Sequence, residues 1–264
     1  MLKQRLITAL WGVPLLVTVI WFGPPWLFAF MVGVGAILGV AEFYHLASQG
    51  GEQPFTLFGF IFTALFIVNA YFNCAYTAPL LAAAVVFSLL WLLARSSGQR
   101  TFTSWSWTLA GMLYVGWLLS HYVALRELTQ GKEWVLFVLS STFACDTGAF
   151  LVGRAWGRHR LAPTISPAKT WEGTVGGFVA AVAAAMILGA LLGLPFRGYG
   201  EVVFLGCVVG IFAQLGDLVE SLFKRSMGVK DSGSLIPGHG GILDRADSIV
   251  FTGVVIYYYL VWMG

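Results

Sequence analysis

Nine long apolar runs limit what this sequence can fold into. They lie near residues 6–22, 27–47, 56–73, 76–93, 104–125, 134–152, 174–195, 201–222 and 243–263. A helix needs about 20 mostly apolar residues to cross the hydrocarbon core of a bilayer. Because the runs lack the two-residue alternation of membrane strands, the sequence predicts an all-α fold: a polytopic integral membrane helical bundle of about nine transmembrane helices.

The composition excludes an ordinary soluble domain. Of the 264 residues, 58% are hydrophobic and 10% are charged, whereas soluble domains are about a quarter charged. There is no internal repeat or low-complexity linker, so we expect one integral membrane domain over residues 1–264. Residues 1–133 carry little chemistry and are expected to form a lipid-facing scaffold. Residues 134–264 are expected to form the catalytic half, with its polar motifs concentrated at 217–248.

The distribution of basic residues predicts the orientation. With nine spans, the N-terminus and the even-numbered loops share one side of the membrane, which holds 12 of the 15 Lys and Arg residues. Arg126, Lys132 and Arg197 lie on the other side. The positive-inside rule then places the N-terminus in the cytoplasm and the C-terminus outside. Lys3 and Arg5 precede an apolar run as in a signal peptide, but no small-residue cleavage site follows, so a retained helix is expected.

One polar stretch, Ser221–Ser248, interrupts the apolar pattern with the sequence SLFKRSMGVKDSGSLIPGHGGILDRADS. Charged residues are costly in a membrane chain, so a concentration of them indicates a functional site. The stretch brings basic, acidic and imidazole side chains together: Lys224, Arg225, Lys230, Arg245, Asp231, Asp244, Asp247 and His239.

Carboxylates occur on both predicted helices that flank the middle of this stretch. Asp217, Ser221 and Lys224 are spaced i, i+4 and i+7, so they share one helical face. The last apolar run begins near Asp244, and Asp247 follows three residues later. Carboxylates beside Lys and Arg suit a hard divalent cation that binds phosphate oxygens, and a network of structural ion pairs is the alternative. The number of acids at one mouth favours the metal: Asp217, Glu220, Asp231, Asp244 and Asp247.

A glycine-rich loop, KDSGSLIPGHGGILDR, lies between these helices. Glycines allow close backbone approach and positive φ, and a loop that enters a helix near Ile242 presents free N–H groups to an anion. The loop lacks the GxxxxGK[ST] pattern of a Walker A motif. His239 is equally suited to contacting a phosphate and to bracing the turn.

Two upstream motifs extend the candidate site. Asp146, in FACDTGAF, lies inside an apolar run, where an ionisable group is costly unless it is paired or faces a polar cavity. A functional role and a structural pair with Arg154 are the alternatives. SPAKTWEG, Ser166–Gly173, ends a loop from Gly153 that shows no obvious helix or strand. The predicted topology places it on the side of Ser221–Ser248, although alone it also fits an ordinary polar loop.

Other polar residues have less specific interpretations. Glu42 and His45 end the second run and are equally suited to the headgroup level and to substrate contact. His121 in the fifth run is expected to pack with a hydrogen bond rather than to catalyse. The cysteines form no CxxC pair and are expected to be packing residues rather than disulfide partners or zinc ligands: Cys74, Cys145 and Cys207.

These motifs together resemble one family. SxxKRxxxxKDxG followed by PGHGGxxDRxDS, from Ser221 through Ser248, is similar to the signature of the bacterial phosphatidate cytidylyltransferases, or CDP-diacylglycerol synthases. SPAKTWEG, DTGAF and the N-terminal QRLITAL also look like segments of that family, so the resemblance covers the whole chain and is most specific in its C-terminal half. Ala168 stands where many relatives carry a second lysine, which puts one phosphate contact in doubt. Ala246 stands where a bulkier apolar residue is usual.

The resemblance implies an activity and a site. Such an enzyme joins CTP to phosphatidate, giving CDP-diacylglycerol and pyrophosphate, with Mg²⁺ alone or with a second cation. It works as a homodimer in the bacterial inner membrane, with its active site facing the cytoplasm and no nucleic-acid partner. The expected catalytic residues are Lys224, Arg225, Asp217 and Asp244. The expected metal ligands are Asp217, Asp244 and Asp146, and the expected substrate contacts are Ser166, Lys169, Thr170, Glu172, Ser221, Lys230, Asp231, His239, Arg245 and Asp247.

Three other functions fit parts of the sequence. Residues 146–149, DTGA, faintly resemble the DGxxAR opening of CDP-alcohol phosphatidyltransferases, but Thr147 replaces the glycine and Phe150 the arginine, and the downstream aspartates are missing. A CTP-dependent polyprenol kinase would use the same nucleotide. A transporter would place buried acids near the midplane, often within repeats, whereas here the charges lie at one mouth. The nucleotidyltransferase is therefore the favoured function.

Overall fold

Ten α-helices and one hairpin make up the part of the chain that the computed structural model describes, which is residues 2–95, 101–229, 232–233 and 240–263. Side chains are described for residues 11–94, 102–229, 232–233 and 240–263. The elements are α1 (Leu2–Phe22), α2 (Pro25–Gln49), α3 (Thr56–Tyr71), α4 (Thr77–Arg95), α5 (Thr101–Gly111), α6 (Leu118–Glu127), α7 (Gly131–Trp156), β1 (Arg160–Ala162), β2 (Ser166–Thr170), α8 (Trp171–Leu192), α9 (Tyr199–Ser226) and α10 (Leu243–Met263).

The helices confirm the all-α, polytopic membrane class. Every predicted apolar run lies largely within helical residues, and a π-helical segment, Met112–Trp117, joins α5 to α6. Among the described residues, seven helices are long and apolar enough to cross a membrane: Pro25–Gln49, Thr77–Ala94, Phe102–Glu127, Gly131–Trp156, Trp171–Leu192, Tyr199–Ser226 and Leu243–Met263. The apolar helices Trp11–Phe22 and Thr56–Tyr71 are shorter. The count of nine spans and the orientation of the termini therefore stay predictions.

The segment Gly153–Gly173 is more ordered than the sequence predicts. α7 continues into it, and β1 and β2 pair antiparallel, with Arg160 opposite Thr170 and Ala162 opposite Ser166. The expectation of a loop without helix or strand was wrong, because strands of three and five residues are too short to show a periodic pattern.

The chain divides into two compact units. The first consists of Met1–Glu127 and Ser226–Ala246, and the second of Leu128–Arg225 and Asp247–Gly264. The first turn of α10 thus belongs to the first unit and the rest of α10 to the second. The expectation of one domain with a scaffold half and a catalytic half stays a prediction.

The first unit packs around aromatic side chains. The Tyr44 hydroxyl donates a 2.7 Å hydrogen bond to the carbonyl of Thr108. The Tyr44 ring fits between helices because α3 and α5 offer glycines, and a Cβ at either Gly59 or Gly111 would lie 2.3 Å from a ring carbon of Tyr44. His121 also packs as expected: it is 3% exposed, and its Nδ1 lies 3.0 Å from the carbonyl oxygen of Trp117.

The second unit packs through small residues. A Cβ at Gly177 of α8 would lie 2.8 Å from the carbonyl oxygen of Cys145 on α7, and one at Gly206 of α9 would lie 2.8 Å from Val182 Cα on α8. Small residues let membrane helices approach closely where hydrophobic burial gives little driving force. Cys145 is part of this buried core, and Cys74 and Cys207 are half-buried; all three are free thiols.

Candidate active site

Two aspartates of the second unit share one serine. The Ser248 hydroxyl oxygen on α10 lies 2.9 Å from Asp146 Oδ2 on α7 and 3.0 Å from Asp247 Oδ1. One hydroxyl has one proton, so it donates to only one of these carboxylates at a time. Arg154, the cation that the sequence offered as a structural partner of Asp146, is exposed near the end of α7. The structure therefore brings Asp146 to α10.

A third aspartate, Asp217, reaches the second unit from α9. The preceding residue, Gly216, allows α9 to approach α10 closely, because a Cβ there would lie 2.3 Å from the carbonyl oxygen of Asp247. Asp217 Oδ2 forms a 2.7 Å ion pair with Lys169 Nζ of β2. The Ser221 hydroxyl also donates to Asp217 Oδ1 at 3.4 Å, as the i, i+4 spacing predicts. The hairpin thus supplies the cation that faces Asp217.

The basic residues at the end of α9 have defined partners. Lys224 Nζ lies 2.7 Å from Glu220 Oε2, and the Glu220 side chain is completely buried while that of Lys224 is 13% exposed. Arg225 Nε donates to the carbonyl of Ile165 in the hairpin at 3.1 Å. The sequence groups Glu220 with the acids expected at the cytoplasmic end of the site. In the structure it forms a buried ion pair with Lys224.

SPAKTWEG has a structural role at the start of α8. Thr170 is the N-cap, and its Oγ1 accepts a hydrogen bond from Gly173 N at 3.1 Å. Glu172 accepts hydrogen bonds from Arg158 N and His159 N at 3.1 and 3.2 Å, and its Oε1 lies 2.6 Å from His159 Nδ1. These contacts close the hairpin that carries Lys169. The expected substrate contacts of Ser166, Thr170 and Glu172 stay predictions.

Asp244 lies in a closed turn of the first unit. Its carboxylate accepts hydrogen bonds from Gly241 N at 2.9 Å and from Ser232 N at 3.2 Å. Gly240 has φ +81°, which only glycine adopts readily. Arg245 is exposed on the first turn of α10. Other expected site residues lie outside the described part of the chain: Lys230, Asp231 and His239.

Glu42, on α2, contacts this turn; from the sequence it fitted the headgroup level and substrate contact equally well. It is 5% exposed, and its carboxylate accepts hydrogen bonds from Ile242 N at 3.0 Å and from Leu243 N at 2.8 Å. The Ser232 hydroxyl donates to it at 3.3 Å. Glu42 is 190 residues away from Ser232 in the sequence, so no local pattern connects them.

The oxygen donors of the second unit suit a divalent cation whose remaining coordination positions are filled by substrate and water. Asp146, Asp247 and Ser248 offer oxygen atoms only, as hard divalent cations require. Among the described residues, no three His, Cys, Asp or Glu side chains are arranged to hold a metal ion. Mg²⁺ is usually bound by one or two carboxylates together with substrate phosphates and water, so such a site does not require three protein carboxylates.

Known proteins resemble this chain along its whole length. Residues 3–263 match the model of the cytidylyltransferase family. The chain is 34% identical over 292 residues to the phosphatidate cytidylyltransferase of Synechocystis sp., covering 98% of this chain and 96% of that protein. It is 35% identical over 281 residues to the phosphatidate cytidylyltransferase of Haemophilus influenzae, covering 94% and 95%. Phosphatidate cytidylyltransferase 4, chloroplastic, of Arabidopsis thaliana is 33% identical over 292 residues, covering 98% and 73%.

Proposed function

The chain belongs to the cytidylyltransferase family, and from this premise we propose that it transfers the cytidylyl group of CTP to phosphatidate, giving CDP-diacylglycerol and pyrophosphate. The observation that carries the proposal is a sequence identity of 33% to 35% with phosphatidate cytidylyltransferases over almost the whole chain. The apolar helices agree with a lipid substrate.

The proposed reaction needs alignment and charge neutralisation more than a base. A phosphate oxygen of phosphatidate attacks the α-phosphorus of CTP in line, the bond from that phosphorus to the β-phosphate oxygen breaks, and the electron pair leaves with pyrophosphate. The attacking oxygen is already anionic near neutral pH. Cations and preorganised donors therefore supply most of the catalysis.

The proposed site assigns a role to each group of residues. Asp217 and Asp244 would hold Mg²⁺, with Asp146 as a further ligand. Bound there, Mg²⁺ would neutralise phosphate charge in the transition state. Lys224 and Arg225 would bind phosphate groups, together with the substrate contacts expected from the polar motifs: Ser166, Lys169, Thr170, Glu172, Ser221, Lys230, Asp231, His239, Arg245 and Asp247.

Two contacts support a site that rearranges when substrate binds. Lys169 pairs with Asp217, and Lys224 pairs with Glu220. Each lysine ammonium is neutralised in the structure: that of Lys169 becomes available to a phosphate if Asp217 takes a cation, and that of Lys224 if its side chain rotates away from Glu220. This exchange of partners would couple nucleotide binding to metal binding.

The proposed location follows from the substrates. CTP is a soluble nucleotide, and phosphatidate presents its headgroup at the membrane surface. An active site at the cytoplasmic face of a bacterial inner membrane would admit both, and the predicted positive-inside orientation supports this side. Assembly as a homodimer is part of the proposal and comes from the family resemblance.

The proposed function is tested with membranes that contain the full chain. We expect CTP-dependent formation of CDP-diacylglycerol and pyrophosphate, and we expect Asp244→Asn to lower the rate by about 10²–10³-fold, the usual loss for one transition-state-stabilising group. Lys224→Ala is expected to lower it as well, whereas Arg154→Ala, which removes an exposed cation, is the control. Near-normal rates in both site variants would refute the assignment of the site. Phosphorylation of a polyprenol without pyrophosphate release would instead identify a kinase.

A further inference from the structure

The Glu42 carboxylate uses both of its oxygens at the start of α10. Oε1 accepts from Ile242 N at 3.0 Å, and Oε2 accepts from Leu243 N at 2.8 Å. The first N–H groups of a helix have no partner within the helix, and a negative charge there is favoured by the helix dipole. Glu42 from α2 thus satisfies donors that α10 itself cannot satisfy.

Ser232 connects Glu42 to Asp244. Its hydroxyl donates to Glu42 Oε2 at 3.3 Å, and its backbone N–H donates to Asp244 at 3.2 Å. Asp244 also accepts a hydrogen bond from Gly241 N at 2.9 Å. Gly241 directly precedes Ile242 and Leu243, whose amides donate to Glu42. The two carboxylates therefore hold one turn through adjacent backbone groups. A shift of Glu42 must move the donors that orient Asp244.

The approach of Glu42 explains the glycine at position 233, and Glu42 together with the Ser232 hydroxyl explains the glycine at position 241. A Cβ at Gly233 would lie 2.9 Å from Glu42 Oε1, and a Cβ at Gly241 would lie 2.4 Å from Glu42 Oε2. Both distances are too short for an ordinary contact, so a Cβ at Gly233 would displace the carboxylate and one at Gly241 would displace both the Ser232 hydroxyl and the carboxylate. Gly233 does not have positive φ, so its backbone conformation does not require glycine. Glycine is needed there because the Glu42 carboxylate occupies the space that a Cβ would take.

We propose that Glu42 is a positioning residue that fixes Asp244 for cytidylyl transfer. It acts through Ser232 and the first amides of α10 rather than by contact with substrate. This inference rests on the proposed assignment of Asp244 to the metal site. Groups that orient metal ligands typically change metal affinity or activity by about 10–100-fold when they are removed.

The test compares Glu42→Gln, Glu42→Asp and Glu52→Gln in the full-length enzyme. Glutamine has one acceptor oxygen where the carboxylate uses two, and its NH₂ group cannot accept from a backbone N–H. We expect Glu42→Gln to lower kcat by about 10–100-fold, to leave KM for phosphatidate unchanged, and to raise the Mg²⁺ concentration needed for half-maximal rate. Glu42→Asp keeps both oxygens and is expected to recover part of the rate.

Glu52→Gln is the matched control. Glu52 lies in the same unit and accepts hydrogen bonds from the hydroxyls of Thr103 and Ser104 at 2.8 and 3.1 Å, but these partners are on α5. The kinetic constants of the Glu52→Gln enzyme are expected to stay at wild-type values. If the loss of any carboxylate in this unit impaired the enzyme, kcat would fall equally in Glu42→Gln and Glu52→Gln. That result would overturn the proposal.

Hydrogen exchange gives a readout that does not depend on activity. Without metal or substrate, the amides of Ile242 and Leu243 are expected to exchange faster in Glu42→Gln than in wild type. The amide of Gly241, which bonds to Asp244 and not to Glu42, is expected to exchange faster too, because the whole turn loosens. Unchanged exchange at Gly241 would contradict the coupling to Asp244.

Further variants separate failure of this inference from failure of the proposed site. A wild-type rate in Glu42→Gln beside an inactive Asp244→Asn would overturn the positioning role alone. A wild-type rate in Asp244→Asn would overturn the site assignment and the positioning role with it. If Glu42→Gln does not fold, Gly233→Ala decides, since its Cβ displaces only the carboxylate. A normal rate in Gly233→Ala would then overturn the proposal.

Discussion

Asp146 and Asp217 of the second unit are bound by side-chain groups, whereas Asp244 of the first unit is bound by backbone amides, as Glu42 largely is too. Asp217 is held by the Lys169 ammonium, and Asp146 and Asp247 share the hydroxyl of Ser248. Each of these partners rotates about single bonds. A substrate phosphate or a cation can therefore replace them without any change in the backbone.

The acids of the first unit cannot exchange partners in this way. Glu42 and Asp244 accept from the amides of a closed turn that includes Gly241 and Leu243. An amide leaves its acceptor only if the turn opens. The comparison teaches that similar carboxylates serve different purposes: Asp146 and Asp217 can exchange partners, whereas Glu42 and Asp244 have a fixed direction.

The largest effect is expected at Asp217, which is a proposed metal ligand and also the ion-pair partner of Lys169. Asp217→Asn removes a proposed metal ligand and leaves the buried Lys169 ammonium without its carboxylate. We expect CDP-diacylglycerol formation to fall by about 10²–10³-fold and the melting temperature in detergent to drop. Lys169→Met is expected to lower the rate by a smaller factor, because the carboxylates remain.

The double variant Asp217→Asn/Lys169→Met is the control for this prediction. Replacing both partners of an ion pair by neutral groups of similar size is often neutral or stabilising, whereas removal of one partner is costly. The melting temperature is therefore expected to recover toward wild type while the rate stays low. Recovery of the rate would show that the pair is structural and that Asp217 has no part in the chemistry.

A smaller effect is expected from the contact that brings α9 to α10. Gly216→Ala places a Cβ 2.3 Å from the carbonyl oxygen of Asp247, so the helices must separate. Overpacking of this kind typically costs about 1–3 kcal/mol, and we expect a lower melting temperature together with a reduced rate. Gly200→Ala, in the same helix with open space around it, is the control. Equal stability of the two variants would show that the approach of α9 to α10 is not required.

The sequence predicted features that depend on local pattern. The apolar runs identified the helices, because a spanning helix must satisfy its backbone internally and expose apolar side chains to lipid. The i, i+4 spacing placed Ser221 beside Asp217, and the glycine-rich motif indicated the positive φ observed at Gly240. In each case the residues that interact are neighbours along the chain.

Contacts between distant segments were not predictable. Glu42 has no signal in its own helix, because the donors it binds are 190 to 201 residues away. The same holds for the pair of Lys169 with Asp217, which depends on a hairpin too short to be read from periodicity. The i, i+4 spacing brings Glu220 to Lys224, but the complete burial of Glu220 is set by packing between helices, which the sequence does not show.

The smallest effect is expected at Thr170, where the proposed substrate contact and the observed cap make different predictions. Thr170→Ala removes the oxygen that accepts from Gly173 N, and loss of an N-cap costs about 1 kcal/mol. If Thr170 acts only as a cap, the melting temperature falls slightly, KM for CTP stays constant, and Thr170→Ser restores stability. Thr164→Ala, an exposed threonine of the hairpin, is the matched control. A raised KM for CTP in Thr170→Ala without a change in melting temperature would instead assign the hydroxyl to the nucleotide.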